Sequence, residues 1–340
     1  MAIPIFRPSI KRRDMDRVLT CMVSDRLGPG PLAKEFAHFF SDYLGAAGGV
    51  STVNYHMAIF AALDTFGVER GDRVIISSLA PQAYLEVFRQ RGIQPLTADV
   101  DPDTCMMLQD AVKAFLDKNP RAIIINNTLG CYPDTEVIDG YSLPVITDFS
   151  QGFNNANTPG KAMQGDIMLL SLAVDNIITA AGGGLVLARG KKDYKNLSSI
   201  FEEQSEDLLL CDMNAALGLA QLKSIEKFIS TRKEIGEIFR RSLKKSRHRT
   251  IASGQDSEVS FYSFPVLLEY GIKEVRQYAL KQGIETRHAF LNSLVAAEEH
   301  LKRSCPNSMS LLSRCILFPL YPSLGKRNVE LISRVLSTLP

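Results

Sequence analysis

The sequence lacks an excess of charge of either sign: 39 basic residues face 37 acidic ones in a chain of 340, a net of +2. A balance of this kind creates no field that would gather a polyanion, so no nucleic-acid partner is expected. The one basic run, KKSRHR from Lys244 to Arg249, reads as the solvated end of a helix. Close cysteine pairs are also missing. The six cysteines stand at 21, 105, 131, 211, 305 and 315, too scattered for a metal knuckle or a redox motif, so free thiols and no metal site are expected. No segment holds the roughly 18 consecutive apolar residues that a membrane span requires. The opening MAIPIFRPSIKRRD has neither a long apolar core nor a cleavage signal, and the protein is expected to be soluble and cytoplasmic, with no membrane partner. Internal repeats and low-complexity linkers are absent as well.

What is present is 45% hydrophobic content, enough in 340 residues for one large domain and a smaller one. From about residue 50 to residue 190, helical patterns alternate with short apolar runs. NYHMAIFAALDTFG reads as a helix closed by Gly67, RVIISS as a buried strand and AYLEVFRQRG as a helix. IQPLTADVD is extended, CMMLQDAVKAFLDKNP helical up to Pro120, and AIIINN and LPVITD are strands with polar ends. Strands that are apolar on both faces and alternate with helices imply a mostly parallel sheet covered on both sides. From Asp212 a single long helix is expected through MNAALGLAQLKSIEKFISTRKEIGEIFRRSLKK. SFYSFPVLLEY then reads as a strand, and KEVRQYALKQG and RNVELISRVLSTL as helices. The fold class is therefore α/β: a large domain over residues 1–235, including the N-terminal segment, and a small C-terminal α+β domain over residues 236–340.

In such a sheet, ligands sit at the carboxyl ends of the strands, which here carry Ser77, Ser78, Asn126, Asn127, Asp148 and Ser171. Asp148 follows LPVIT, with Gln151 one short turn on. A carboxylate there could neutralise a protonated ring nitrogen and so hold an aromatic cofactor as an electron sink. The hydroxyl of Ser171 could join backbone N–H groups around a phosphate, and the glycines 182–184 permit a tight turn. Ordinary caps and turns account for each of these residues taken alone. Their succession at neighbouring strand ends favours a site.

The residues that carry a family likeness are IFRPSI, SDRLGPGPLAKEFAHFFSDYLG, FGVERGDRVIISSLA, TADVDPDT, TDFSQGF, SLAVDN with AAGGG, NAALGLAQLKSIEKF and FPLYPSLGKRNVELISRVL. Through them nearly the whole chain resembles the DegT/DnrJ/EryC1/StrS sugar aminotransferases. These are pyridoxal-phosphate enzymes of the aspartate-aminotransferase fold, usually acting on nucleotide-linked keto sugars. The resemblance implies that Asp148 pairs with the pyridine nitrogen, Gln151 lies near the ring hydroxyl and Ser171 binds the cofactor phosphate. It aligns Asn54, Tyr55 and His56 with the early phosphate loop, and a shift of register toward Ser51 and Thr52 stays open. For His56 the plain alternative is a helix-start residue without a ligand.

Counted from Ser171, the family's aldehyde-binding lysine falls on Asn176. A carboxamide has neither the nucleophilicity nor the basicity of that amine. The ring-stacking aromatic falls at or near Pro81, and the Asn-Tyr-Arg run that a partner subunit contributes falls on Asp207, Leu208 and Leu209, an acid and two aliphatics where a phosphate would be held. Lys161 and Lys191 read as solvated residues rather than replacement amines. Asp175 reads as a turn residue or as a base in an altered reaction, and Arg287 in IETRHAF as a surface residue or a fork for a diphosphate.

The expectation is a divergent homologue of nucleotide-sugar aminotransferases in saccharide and cell-surface glycan metabolism that does not transaminate. The alternative is an active enzyme on a nucleotide-linked keto sugar. Pyridoxal phosphate or pyridoxamine phosphate is expected to be held non-covalently or not at all. A homodimer and a nucleotide-sugar ligand are the expected partners.

Overall fold

The computed structural model describes residues 2–131, 140, 142–152, 164–202, 204–251, 260–269 and 271–340. Two helices open the chain, α1 (Arg12–Val23) and α2 (Pro31–Leu44). Proline at its first turn starts α2, and Gly45, at a φ of 73° that suits glycine, ends it. Then follow β1 (Gly48–Thr52), α3 (Tyr55–Thr65), β2 (Arg73–Ser77), α4 (Gln82–Arg91), β3 (Gln94–Ala98) and α5 (Gln109–Leu116). The strands β4 (Ala122–Asn126), β5 (Val145–Asp148), β6 (Ile167–Ser171) and β7 (Gly184–Ala188) complete a seven-stranded sheet of order β1-β7-β6-β5-β4-β2-β3. Neighbours from β3 across to β6 pair in parallel, and β7 alone runs against the rest.

Alternate residues of each strand face opposite layers. Ile124, Ile146, Leu169 and Val186 pack with Ala62 and Leu63 of α3 and Leu85 and Phe88 of α4. Met168, Leu170, Leu185 and Leu187 pack with Phe36 and Phe40 of α2. Farther along the same side, Ile123, Ile125 and Val145 pack with Val112 of α5. Both faces are thus buried, which is why these strands read as continuous apolar runs.

The chain continues through α6 (Lys191–Glu202), α7 (Asp212–Leu222) and α8 (Ile225–Leu243). A second sheet follows, built from β8 (Phe264–Leu267), β9 (Arg287–His288) and β10 (Cys315–Phe318) in the order β8-β10-β9, all antiparallel. Phe239 and Leu243 of α8 share a core with Phe264, Val266, Ile316 and Phe318 of this sheet and with Ile332 and Leu336 of the closing helix Lys326–Ser337. The architecture is α/β, with a large, mostly parallel sheet and a smaller C-terminal one.

Two expected helices differ. The long helix from Asp212 is broken after Lys223, where Ser224 leaves helical geometry (φ −120°, ψ 7°) and begins α8. Arg13 and Lys11 donate to the Ser224 hydroxyl, so the break is anchored by the N-terminal segment. The helix expected from Cys105 begins only at Gln109. Asp101 takes up the N–H groups of Asp103 and Thr104, Cys105 turns to a φ of 61°, and Met107 bridges back to Val100, so this stretch is a tight hairpin rather than a first helical turn. Among the described residues no helix is long and apolar enough to cross a membrane, and no group of three His, Cys, Asp or Glu side chains could hold a metal ion.

Candidate cofactor and sugar site

Parallel pairing of β4, β5 and β6 brings their polar carboxyl ends together. Asn126 lies opposite Asp148 in register, and Ser171 follows two residues after Leu169, the partner of Asp148. Asp148 is buried, and its Oδ2 is crowded with donors. It accepts from the Tyr55 hydroxyl at 2.5 Å, the Asn126 amide at 2.9 Å and the Tyr84 hydroxyl at 3.1 Å, while Oδ1 accepts from the Ser150 N–H at 2.9 Å. The Tyr55 hydroxyl also lies 3.1 Å from that of Tyr84, and the two rings meet edge-on with centroids 6.0 Å apart. Burial, with the neighbouring Asp148 carboxylate adding to it, raises the pKa of both phenols well above the usual tyrosine value. Both therefore stay protonated and donate.

Two helices and two strands distant in sequence supply this cluster. Tyr55 is the first residue of α3, placed there because the Asn54 side chain caps the helix by accepting from the Met57 N–H at 2.8 Å. Tyr84 lies on the buried face of α4 and continues into Phe88, with centroids 6.4 Å apart. His56 points elsewhere and meets Glu86 of α4 at 2.7 Å. Gln151 is half-buried, and its Oε1 accepts the Leu129 N–H at 2.5 Å. That bond holds the turn in which Leu129 and Gly130 both have positive φ, 55° and 86°.

The β6 end is arranged differently. The Ser171 N–H donates to the Ser150 hydroxyl at 2.8 Å, and Asn176 Nδ2 donates back to the Ser171 carbonyl at 2.6 Å. The Asn176 side chain thereby closes the loop 171–176 on itself. Gly183 (φ 102°) turns the chain back into β7, where a Cβ would stand 2.6 Å from Leu210 and 3.2 Å from the Thr52 carbonyl. Next to Asn176, Asp175 faces the C-terminal sheet. Its Oδ2 accepts from the Tyr262 hydroxyl at 3.2 Å and lies 3.8 Å from Arg287 Nη1. The Arg287 guanidinium sits 5.9 Å from the ring centroid of Phe6, and its side chain is 41% exposed. Tyr262 is itself fixed by a buried arginine. Arg232 Nη1 donates to the carbonyls of Phe261, Tyr262 and Leu320 at 3.1, 2.8 and 2.9 Å, and burial brings its pKa down to about 10.

The structure thus brings Asp148, Tyr55 and Asn126 into one cluster, and Ser171, Asn176, Asp175 and Arg287 along an adjoining wall. Asn54 and His56 join neither cluster. Ser78 is turned toward Ser308 at 2.5 Å, and Pro81 bridges to Ser293, away from the β5 end. Lys191 is exposed at the start of α6, and Lys161 lies outside the described residues. Asp207 is exposed on a 3-10 turn beside the end of β1, where Leu208 accepts the Val53 N–H. Tyr84, Ser150, Tyr262 and Arg232 were not singled out from the sequence. Each sits in an ordinary core or turn pattern, and only the fold reveals its neighbour.

The residues in place do not fit pyridoxal phosphate. Asp148 Oδ2 already accepts three hydrogen bonds from the chain itself and Oδ1 one more, and the Asn176 amide is turned onto its own loop.

The sequence profile of the DegT/DnrJ/EryC1/StrS aminotransferase family matches residues 8–337. The GDP-perosamine synthase of Escherichia coli O157:H7 is 24% identical, over 96% of this chain and 95% of its own length. Among solved structures, a putative sugar aminotransferase of Streptococcus pneumoniae in its pyridoxal-phosphate form superposes with a TM-score of 0.89 at 20% identity, over 99% of this chain and 98% of that one. A histidine-to-asparagine variant of GDP-4-keto-6-deoxymannose-3-dehydratase with bound GDP-perosamine superposes with a TM-score of 0.85 at 17% identity, over 98% and 99%. The chain belongs to the DegT/DnrJ/EryC1/StrS aminotransferase family.

Proposed function

We propose that this chain recognises a nucleotide-linked sugar in saccharide metabolism and does not transaminate. The observation that carries the reading is Asn176, a side chain without a basic nitrogen at the family's lysine position, tied to the Ser171 carbonyl. Transamination needs an amine there to hold an aldehyde and to move a proton, and no such group stands in its place. Asp148, Gln151 and Ser171 keep the residue types that the family uses for its cofactor, while Asp148 and Gln151 are engaged by the protein's own donors. The sugar-side wall remains open. Arg287 is partly exposed, and its planar fork suits a diphosphate, which would compete with the 3.8 Å contact to Asp175.

GDP-perosamine synthases among the relatives, and a bound GDP-perosamine in a structure of the same fold, favour a nucleotide sugar as the ligand. Thermal shift against a panel of GDP-, UDP- and dTDP-linked sugars tests this. One class is expected to raise the melting temperature with concentration, and Arg287→Ala to reduce the shift. No response to any of them would refute the reading. The second reading, an altered reaction on a keto sugar with non-covalent pyridoxal phosphate, draws support from a fold relative solved in its pyridoxal-phosphate form. It requires Asp148 to give up its tyrosine donors.

A homodimer is part of the proposal. Met15, Leu19, Met22 and Val23 stand three and four residues apart on α1 and are 49–83% exposed, an apolar stripe that a second copy would cover. Light scattering is expected to give a mass of two chains, and Leu19→Glu with Val23→Glu a mass of one. A single-chain mass for the unaltered protein would refute it.

A further inference from the structure

All three residues that the family likeness places in the early phosphate loop are engaged within the chain. The Asn54 side chain caps α3 through the Met57 N–H. His56 pairs with Glu86 on α4. Tyr55, between them, reaches from the first turn of α3 to the end of β5 and donates to Asp148 at 2.5 Å. Its hydroxyl shares the same carboxylate oxygen with Tyr84 and Asn126. A carboxylate oxygen offers about two lone-pair sites, so three donors fill Oδ2, while Oδ1 already accepts the Ser150 N–H. The Tyr55 ring stands edge-on to Tyr84, and Tyr84 packs edge-on to Phe88, so an aromatic wall backs the hydroxyl.

A phenol and a protonated pyridine have a feature in common that matters here: each is a flat six-membered ring bearing one polar hydrogen aimed outward. A carboxylate placed to receive the N–H of one can receive the O–H of the other, and the phenol does so without carrying charge into a buried site. We propose that Tyr55 is a resident stand-in for the cofactor ring. Its side chain fills the place beside Asp148 that a pyridine would take, so that the protein closes its ancestral cofactor pocket with its own residue. The consequence goes beyond the missing amine. Loss of the lysine would leave a pocket still able to hold a cofactor non-covalently, whereas occupation of Asp148 removes the ring itself. Removing the Tyr55 ring should open a cavity with an acceptor at its end, suited to a small cationic heteroaromatic such as a pyridinium.

Equilibrium dialysis of pyridoxal phosphate and of pyridoxine against the purified full chain tests this, and its outcome does not depend on whether a nucleotide sugar binds. The unaltered protein and Tyr55→Phe, which keeps the ring volume, are expected to show no saturable site. Tyr55→Ala is expected to gain one saturable site per chain. Should Tyr55→Ala fail to fold, Tyr55→Val replaces it with the same expectation. Saturable one-to-one binding by the unaltered protein, or no gain in the folded small-side-chain variant, would overturn the proposal.

Discussion

The two ends of the site, beyond the neighbouring strands β5 and β6, are built to different standards. At the end of β5 a buried carboxylate receives four donors at 2.5–3.1 Å from two tyrosines, an asparagine and a backbone N–H. At the end of β6 a half-exposed carboxylate, Asp175, receives one hydroxyl at 3.2 Å and faces a guanidinium at 3.8 Å. Tight, buried and saturated bonding makes a fixed structural unit. Loose and partly solvated bonding leaves groups that a ligand can recruit. On the proposed reading, the first end has become part of the core and the second is where a ligand would be recruited.

The sharpest break in that comparison comes from removing each carboxylate in turn. Asp148→Ala strands two buried hydroxyls and an amide, and is expected to lower stability by about 3 kcal/mol or more, read from urea denaturation. Asp175→Ala is expected to cost less, about 1 kcal/mol, because it removes one hydroxyl contact at 3.2 Å and a 3.8 Å contact to a partly exposed guanidinium. Similar costs for the two would show that the β5 end is not the fixed unit described.

An effect of intermediate size is expected in alkali. Tyr55 and Tyr84, like Tyr262 and Tyr321, have folded-state pKa values raised above that of an unfolded tyrosine, about 10. A raised value means that the folded state holds the proton more firmly than the unfolded one. The stability these groups contribute is present in full below pH about 10 and is lost as pH rises toward the folded-state values. The chain has ten tyrosines and no tryptophan, so tyrosinate absorbance follows them cleanly. Part of the tyrosine signal should appear only together with loss of the far-ultraviolet circular dichroism, and Tyr55→Phe should reduce that part. Ionisation of all ten tyrosines in a folded chain would contradict the account.

Much of the fold could be read from periodicity. Runs such as RVIIS, AIIIN and IMLLS are buried on both faces, and their apolar continuity announced a covered parallel sheet. The strand-end polar residues were legible for the same reason, since Asn126, Asp148 and Ser171 each close an apolar run. The break at Ser224 was not legible, because the apolar spacing continues through it and the anchor, Arg13, lies more than 200 residues earlier. Tyr84 was hidden for a similar reason: an aromatic on the buried side of an amphipathic helix looks like core whether or not its hydroxyl has a partner. Tyr55 was visible as a position but not as a contact. Its reach to a carboxylate 93 residues later depends on α3 and β5 meeting across the sheet, which no local pattern encodes.

The most direct test supplies the amine that the proposed reading says is missing and asks whether the pocket answers. Asn176→Lys puts an amine at the position that the family likeness assigns to the lysine, while Tyr55 still donates to Asp148. After incubation with pyridoxal phosphate, reduction with borohydride and peptide mass mapping, the account predicts no stoichiometric adduct at position 176, with any modification spread over exposed lysines. A single adduct at position 176, one per chain, would contradict it.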